Sequence, residues 1–351
     1  MSFPLPARRR LLAALAAAGS LHAAPTLAAD EVLNLYSARH YQTDEALYGD
    51  FTKQTGIRIN RIEAGDEALL ERLRNEGRKS PADVLLLVDA ARLWRAQVEG
   101  LFQPVRSKVL ESRIPDHLRG KDDGGGSEWF AFSTRARVIV YNKATVRPEQ
   151  VATYESLADP ALKGKVCTRS GTHPYMLSLI GAMSEHLGEA KAEAWARGVV
   201  ANFARSPRGG DTDQIKAVAT GECGVALTNT YYLVRMMRSE AAADKDAVAK
   251  IGMVWPNQQT WGTHVNVSGG GVMRDAPNRG AALKFLEYLA SDSAQAYLAE
   301  GNNEWPVVAS ASMRNRVLDS LGRFKADTTP IASVGRAQVT AAKIIDRVGW
   351  R

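Results

Sequence analysis

From residue 31 onward the chain keeps switching between short apolar runs and helical stretches, and this alternation limits the fold more than any other feature. Residues 32–36 read as a strand. A helix start at Thr43-Asp44-Glu45 follows, with Leu47 and Phe51 on one face and Gly56 at its end. Residues 57–62 form a second strand, and Asp66 is placed to cap a helix carrying Leu69, Leu70 and Leu73 that stops at Gly77. Residues 83–88 are continuously apolar apart from Asp83, as in strands buried on both faces, and residues 90–98 are helical again. Beyond the loop at residues 121–127 the pattern resumes. Strands are expected at 137–141, 165–168 and 223–228, with helices opening at Pro174, at 189–203, at 211–219 and at about 230–238. Residues 263–268 and 271–273 read as two strands around a glycine-rich turn, and the tail from Arg279 reads as largely helical. Strand and helix in alternation predict α/β units with a parallel sheet covered on both faces. At roughly 150 residues per domain, 351 residues suit two such units.

The extreme N-terminus is an address. Arg8, Arg9 and Arg10 precede the apolar residues 11–18, and a small-residue stretch at 23–29 leads to Asp30. This is the layout of a cleavable export signal covering residues 1–29, cut after Ala28 or Ala29. The apolar run is too short to span a bilayer of ~30 Å. The paired arginines leave open a twin-arginine route beside the general one. The whole chain carries a net charge of +7, and loss of its three N-terminal arginines leaves the mature chain at +4. No basic block is interleaved with aromatics, so nucleic acid is not an expected partner. The six histidines and two cysteines fall into no CxxC or HExxH pattern, and there is no GxSxG, which weakens the common metallohydrolase and serine-hydrolase readings. In an oxidising compartment, pairing is the default for Cys167 and Cys223.

In an open α/β sheet, ligands bind beyond the carboxyl ends of the strands, where loops enter helices. Three such junctions here carry tyrosine: residues 37–41 end in His40-Tyr41, residues 169–175 end in Pro174-Tyr175, and residues 229–232 end in Tyr231-Tyr232. Tyr175 and Tyr231 each lie eight residues after a cysteine, so the two cysteines are expected on neighbouring strands. A phenol titrates near about pH 10, and a hard trivalent cation that favours anionic oxygen displaces its proton. Ferric ion fits that preference. Four phenolates exceed its charge by one, which calls for a nearby cation, and Arg39, Arg135 and Arg169 are the candidates. Two bland readings stand beside this. A tyrosine at a helix start is commonly a packing residue, and aromatics in a cleft also stack on organic or anionic solutes such as a polyamine, a sugar or an amino acid. Residues 302–305 (Asn-Asn-Glu-Trp) read as a loop closing onto the next element. No paired nucleophile and base supports an enzyme using His40 or His264.

The stretch YSARHYQTDEALYGDFTKQTGIRIN resembles the start of bacterial ferric ion-binding periplasmic proteins, the iron-carrying components of ABC importers. The likeness continues through ADVLLLVDAARLWRA, WFAFSTRARVIVYNK, YESLADPALKGKVCTRSG, GECGVALTNTYYL and VNVSGGGVMRDAPN, in order along nearly the whole mature chain. It implies a two-lobed type II periplasmic binding protein fold, with hinge strands and an interlobe cleft. The lobes are expected at 30–134 plus 262–305 and at 135–261 plus 306–351. The resemblance is to the subgroup that binds iron chiefly through tyrosine. Its RHY element falls on Arg39-His40-Tyr41, its RSxxxxY element on residues 169–175, and its tyrosine pair on Tyr231 and Tyr232. It thereby implies Tyr41, Tyr175, Tyr231 and Tyr232 as ligands to Fe3+, with His40 as a candidate fifth ligand. Arg135, in the RARV element, is implied as the charge-balancing residue. The segment SGTHP before Tyr175 departs from the subgroup's pattern. The function implied is that of a monomeric periplasmic carrier, not an enzyme. It would bind ferric ion first at Tyr231 and Tyr232, close over it with Tyr41, and deliver it to an inner-membrane permease.

Overall fold

The computed structural model describes residues 1–2, 31–39, 44–120 and 124–351. Apart from its first two residues, the expected export signal lies outside them. Among the described residues, nine strands form one sheet assembly: β1 (Val32–Ser37), β2 (Arg58–Glu63), β3 (Val84–Leu87), β4 (Phe130–Asn142), β5 (Val166–Cys167), β6 (Val225–Asn229), β7 (Ile251–Val254), β8 (Val265–Val272) and β9 (Trp305–Pro306). Their order is β2-β1-β3-β8-β4-β6-β5, with β7 and β9 also on β4. The parallel pairings are β1 with β2 and with β3, and β5 with β6. These are the pairs that the strand–helix alternation requires, because a parallel neighbour needs a crossover.

Two strands run between the halves of the molecule. β8 pairs antiparallel with both β3 and β4. The 13-residue β4 holds β8 and β9 along its first half and β6 and β7 along its second. Separate cores form on either side. One gathers Leu33, Phe51, Leu85, Trp129 and Phe285. The other side packs Ile139, Leu179, Trp195, Leu227 and Trp350, with Ile215 and Leu233 in an adjoining cluster. The Ile331–Val348 helix rests on both sides. Gly335 lets it approach Trp94 and the Ala90 carbonyl, where a Cβ would stand 2.6 and 2.8 Å away. Gly181 admits its Val334 carbonyl on the other side.

Several elements differ from the sequence expectation. β4 extends far beyond 137–141, because both of its halves find partners. The expected break at the glycines of β8 is absent, and residues 265–272 are one strand. Gly269, Gly270 and Gly271 serve close approach instead of a turn: a Cβ on them would overlap the carbonyl oxygens of Phe130, Leu85 and Glu128. Asp66 does not cap its helix; Gly65 occupies that position, and Asp66 Oδ1 accepts from the Val88 amide at 3.1 Å. The tail is helical in four pieces, Arg279–Leu289, Asp292–Asn302, Arg316–Ser320 and Ile331–Val348, with β9 and extended chain between them.

Cys167 at the end of β5 and Cys223 just before β6 form a disulfide, with Cα atoms 5.9 Å apart. The two cysteines are 56 residues apart in sequence, so chain entropy assigns the bond about 4 kcal/mol. Chemical denaturation of Cys167→Ala/Cys223→Ala is expected to show a loss of that order. Gly270→Ala is expected to cost about 3 kcal/mol or to prevent folding, read by the same unfolding curves, because the clash is with backbone.

Candidate metal centre

Tyr175 is the second residue of the Pro174–Leu187 helix. Pro174 occupies the first position, where its missing N–H costs nothing, and His173 caps the helix by accepting the Tyr175 amide on Nδ1 at 3.2 Å. The SGTHP departure thus builds an ordinary helix start. Tyr231 and Tyr232 follow Asn229, which ends β6 and precedes the Thr230–Met237 helix. Because β5 and β6 are parallel neighbours joined by the disulfide, their two helix starts emerge side by side. Tyr175 Oη and Tyr231 Oη lie 2.8 Å apart, and the Tyr231 and Tyr232 rings are 4.2 Å apart with a 32° tilt. Adjacent helix residues normally point apart. In the first turn no preceding turn restricts the rotamers, so the two rings pack against each other. His40 and Tyr41 lie outside the described residues; Arg39 is the last one before them.

Ser133, Arg135 and Arg137 alternate along β4 and therefore share a face. The guanidinium carbons of Arg135, Arg137 and Arg169 stand 5.7, 5.9 and 5.1 Å from the Tyr175 ring centroid. Their charges are balanced differently. Arg137 donates to Asp211 Oδ2 at 2.6 Å, and Arg169 to Asp211 Oδ1 at 3.4 Å, so one buried carboxylate serves two cations. Arg135 is fully buried and donates to Ser268 Oγ and the Val88 carbonyl, both at 3.1 Å and both neutral. Its nearest carboxylate oxygen, Glu304 Oε1, is 4.0 Å away. Burial alone would weaken its charge, but Glu304 and the Tyr175 and Tyr231 oxygens outweigh that and hold its pKa above the ordinary arginine value. Burial likewise opposes charge on Arg169, and Asp211, Tyr232 and Tyr175 reverse the balance. Arg39 is held by Asp44 at 3.1 Å and by Glu304 at 3.4 Å.

Asp211, Arg137 and Glu304 were not singled out from the sequence as site residues. The Arg-x-Arg alternation on a strand was the available signal for Arg137; Asp211 and Glu304 arrive from distant segments. Among the described residues, no group of three or more His, Cys, Asp or Glu side chains is placed to hold a metal. The tyrosine oxygens are the convergent donors.

Burial holds His173 and His264 below the ordinary histidine range. His173 is pushed down to about 3 by burial and by Arg169, Arg137 and Arg92. His264, at the start of β8, is pushed down to about 4 by burial, with Arg137, Arg135 and His186 adding and Asp327 opposing. An unfolded histidine titrates near about 6.5, so between these values the unfolded chain binds more protons. Stability is therefore expected to fall by a few kcal/mol as pH drops from about 6.5 to about 4. Urea unfolding across that range checks this, with His264→Asn giving a flatter profile.

Residues 46–320 match the model of the bacterial extracellular solute-binding protein family. Iron uptake protein A1 of Synechocystis sp. is 50% identical over 328 residues, which is 93% of this chain and 90% of that protein. A structure of Trichodesmium IdiA (FutA) in complex with iron and citrate superposes with a TM-score of 0.87, at 50% identity, covering 91% of this chain and all of the other. Apo FutA2 from Synechocystis gives a TM-score of 0.86 at 46% identity, covering 92% of this chain and all of that one. The chain belongs to the bacterial extracellular solute-binding proteins. Its fold is the two-lobed α/β arrangement of the ferric-binding members.

Proposed function

We propose that this protein is the extracytoplasmic iron-binding component of an ABC importer, and that it carries Fe3+ through tyrosine phenolates. The observation that carries the reading is the pair of phenol oxygens, Tyr175 Oη and Tyr231 Oη, 2.8 Å apart beneath an arginine whose donors end on neutral oxygens. The two phenols hydrogen-bond to each other, so both oxygens already meet at one point, where a hard cation that displaces their protons would find two donors. The names of the relatives, an iron uptake protein and an iron-bound structure, support the same cargo.

In this reading Tyr175, Tyr231 and Tyr232 are ligands from one side. Tyr41 completes the set from the β1 side, and His40 is a candidate fifth ligand. Arg135 offsets the excess negative charge of the phenolates, and Arg39 supports the segment that leads to Tyr41. The lobes divide at 134, 262 and 305, so that β4 and β8 act as the hinge. The protein works as a monomeric carrier, not a catalyst, exported by its N-terminal signal and delivering to an inner-membrane permease.

Ferric salt added to the metal-free protein is expected to produce a visible phenolate-to-iron charge-transfer band. Tyr231→Phe/Tyr232→Phe is expected to abolish it, and Arg135→Met to weaken iron affinity about 10- to 100-fold in competition with a chelator. A colourless wild type, or a double variant with an undiminished band, would refute the assignment.

A further inference from the structure

Residues 302–304 reach three parts of the molecule that ferric binding must keep in register. Asn302 ends the Asp292–Asn302 helix, and its Nδ2 donates to Asp44 Oδ1 at 3.0 Å, on the first residue of the helix after residue 41. Asn303 has a φ of 57°, in the left-handed region that asparagine tolerates better than most residues. Its Oδ1 accepts from Arg238 at 2.6 Å and from Asn315 at 2.8 Å. Arg238 follows the last residue of the Tyr231–Tyr232 helix and also donates to the Glu300 carbonyl at 2.8 Å. These bonds cross from one core to another, since Leu298 packs with the first and Leu233 and Met236 with a second. Glu304 is 1% exposed. Its Oε2 accepts from Ser133 at 2.6 Å and from Arg39 at 3.4 Å. Its Oε1 has no hydrogen-bond partner among the described residues and faces Arg135 at 4.0 Å.

We propose that residues 302–304 are a positioning segment that couples the Tyr231–Tyr232 helix to the Arg39 and Arg135 side of the site. Asn303 fixes the geometry, and Glu304 sets how much of the Arg135 charge reaches the phenol oxygens. The proposal rests on the ferric reading above. A buried carboxylate with one oxygen unsatisfied is costly, and here its uncommitted charge is aimed at the one arginine near Tyr175 whose donors end on neutral oxygens.

Three variants of the full chain separate the parts. Asn303→Gly keeps a backbone suited to positive φ and deletes the acceptor, Asn303→Asp retains the acceptor, and Glu304→Gln keeps the shape while removing the charge. In the metal-free protein, amide hydrogen exchange of residues 230–238 is expected to accelerate in Asn303→Gly and to stay at the wild-type level in Asn303→Asp. After ferric loading, release to a competing chelator is expected to be about tenfold faster for Asn303→Gly and slower than wild type for Glu304→Gln, whose freed Arg135 charge offsets more of the phenolate charge. The Glu304→Gln band should also move to shorter wavelength, because an uncompensated Arg135 stabilises the phenolates. Lys343→Gln, exposed on the Ile331–Val348 helix, should change none of these. Unchanged exchange in Asn303→Gly, or unchanged release in both variants, overturns the coupling. A wild type that takes up no ferric ion overturns the ferric reading instead, and the exchange comparison still decides the coupling. Should Asn303→Gly fail to fold, the release rate and band position of Glu304→Gln decide it.

Discussion

A buried guanidinium whose hydrogen bonds end on neutral oxygens, with Glu304 facing it at 4.0 Å, is the constraint around which the rest is arranged. Arg135 has no exposed surface, and its hydrogen bonds end on a serine hydroxyl and a backbone carbonyl. A buried charge offset only by a carboxylate 4.0 Å away is expensive, so the fold must return something for it. The return is an attraction for negative charge on Tyr175, whose ring centroid lies 5.7 Å from the guanidinium carbon. Two further cations in the same place would overdo that attraction, and Asp211 absorbs most of their charge. Positive charge is thus rationed: one arginine is left with neutral partners, two share a carboxylate, and Arg39 is tied to Asp44 and Glu304.

The location of this charge follows from β4. A strand that pairs with β8 on one half and with β6 on the other must run from core to core, and its inward-facing residues sit where the two meet. Ser133, Arg135 and Arg137 alternate through that crossing, so each contacts a different partner segment. The tyrosines arrive independently, from the carboxyl ends of two parallel strands that the disulfide holds together. Neither set alone makes a site. Their meeting gathers phenol oxygens beside a buried arginine, the arrangement that the proposed ferric site requires.

Much of this was legible in the chain. The period of apolar residues revealed the strand–helix alternation, and the strand–helix rule located the tyrosine junctions. The pairing of Cys167 with Cys223 was consistent with their equal spacing to Tyr175 and Tyr231, though spacing alone left it open. The glycines of β8 misled, because a glycine run signals a turn locally but here answers to three carbonyls brought in from β3 and the β4 side. The Asn-Asn-Glu run at 302–304 looked like a connector for the same reason: its partners Asp44, Arg238, Ser133 and Arg135 lie far away in sequence.

The amino-acid order by itself determined the class of fold, the helix starts that carry the phenols and the residue types able to bind a hard cation. Those depend on interactions between residues a few positions apart, such as caps, periodicity and turn preference. Tertiary structure alone decided which arginine keeps its charge available, that Asp211 and Glu304 partition the rest, and that two consecutive tyrosine rings pack against each other. Charge balance in a buried site is a sum over groups from distant segments, and no local pattern in the chain encodes that sum.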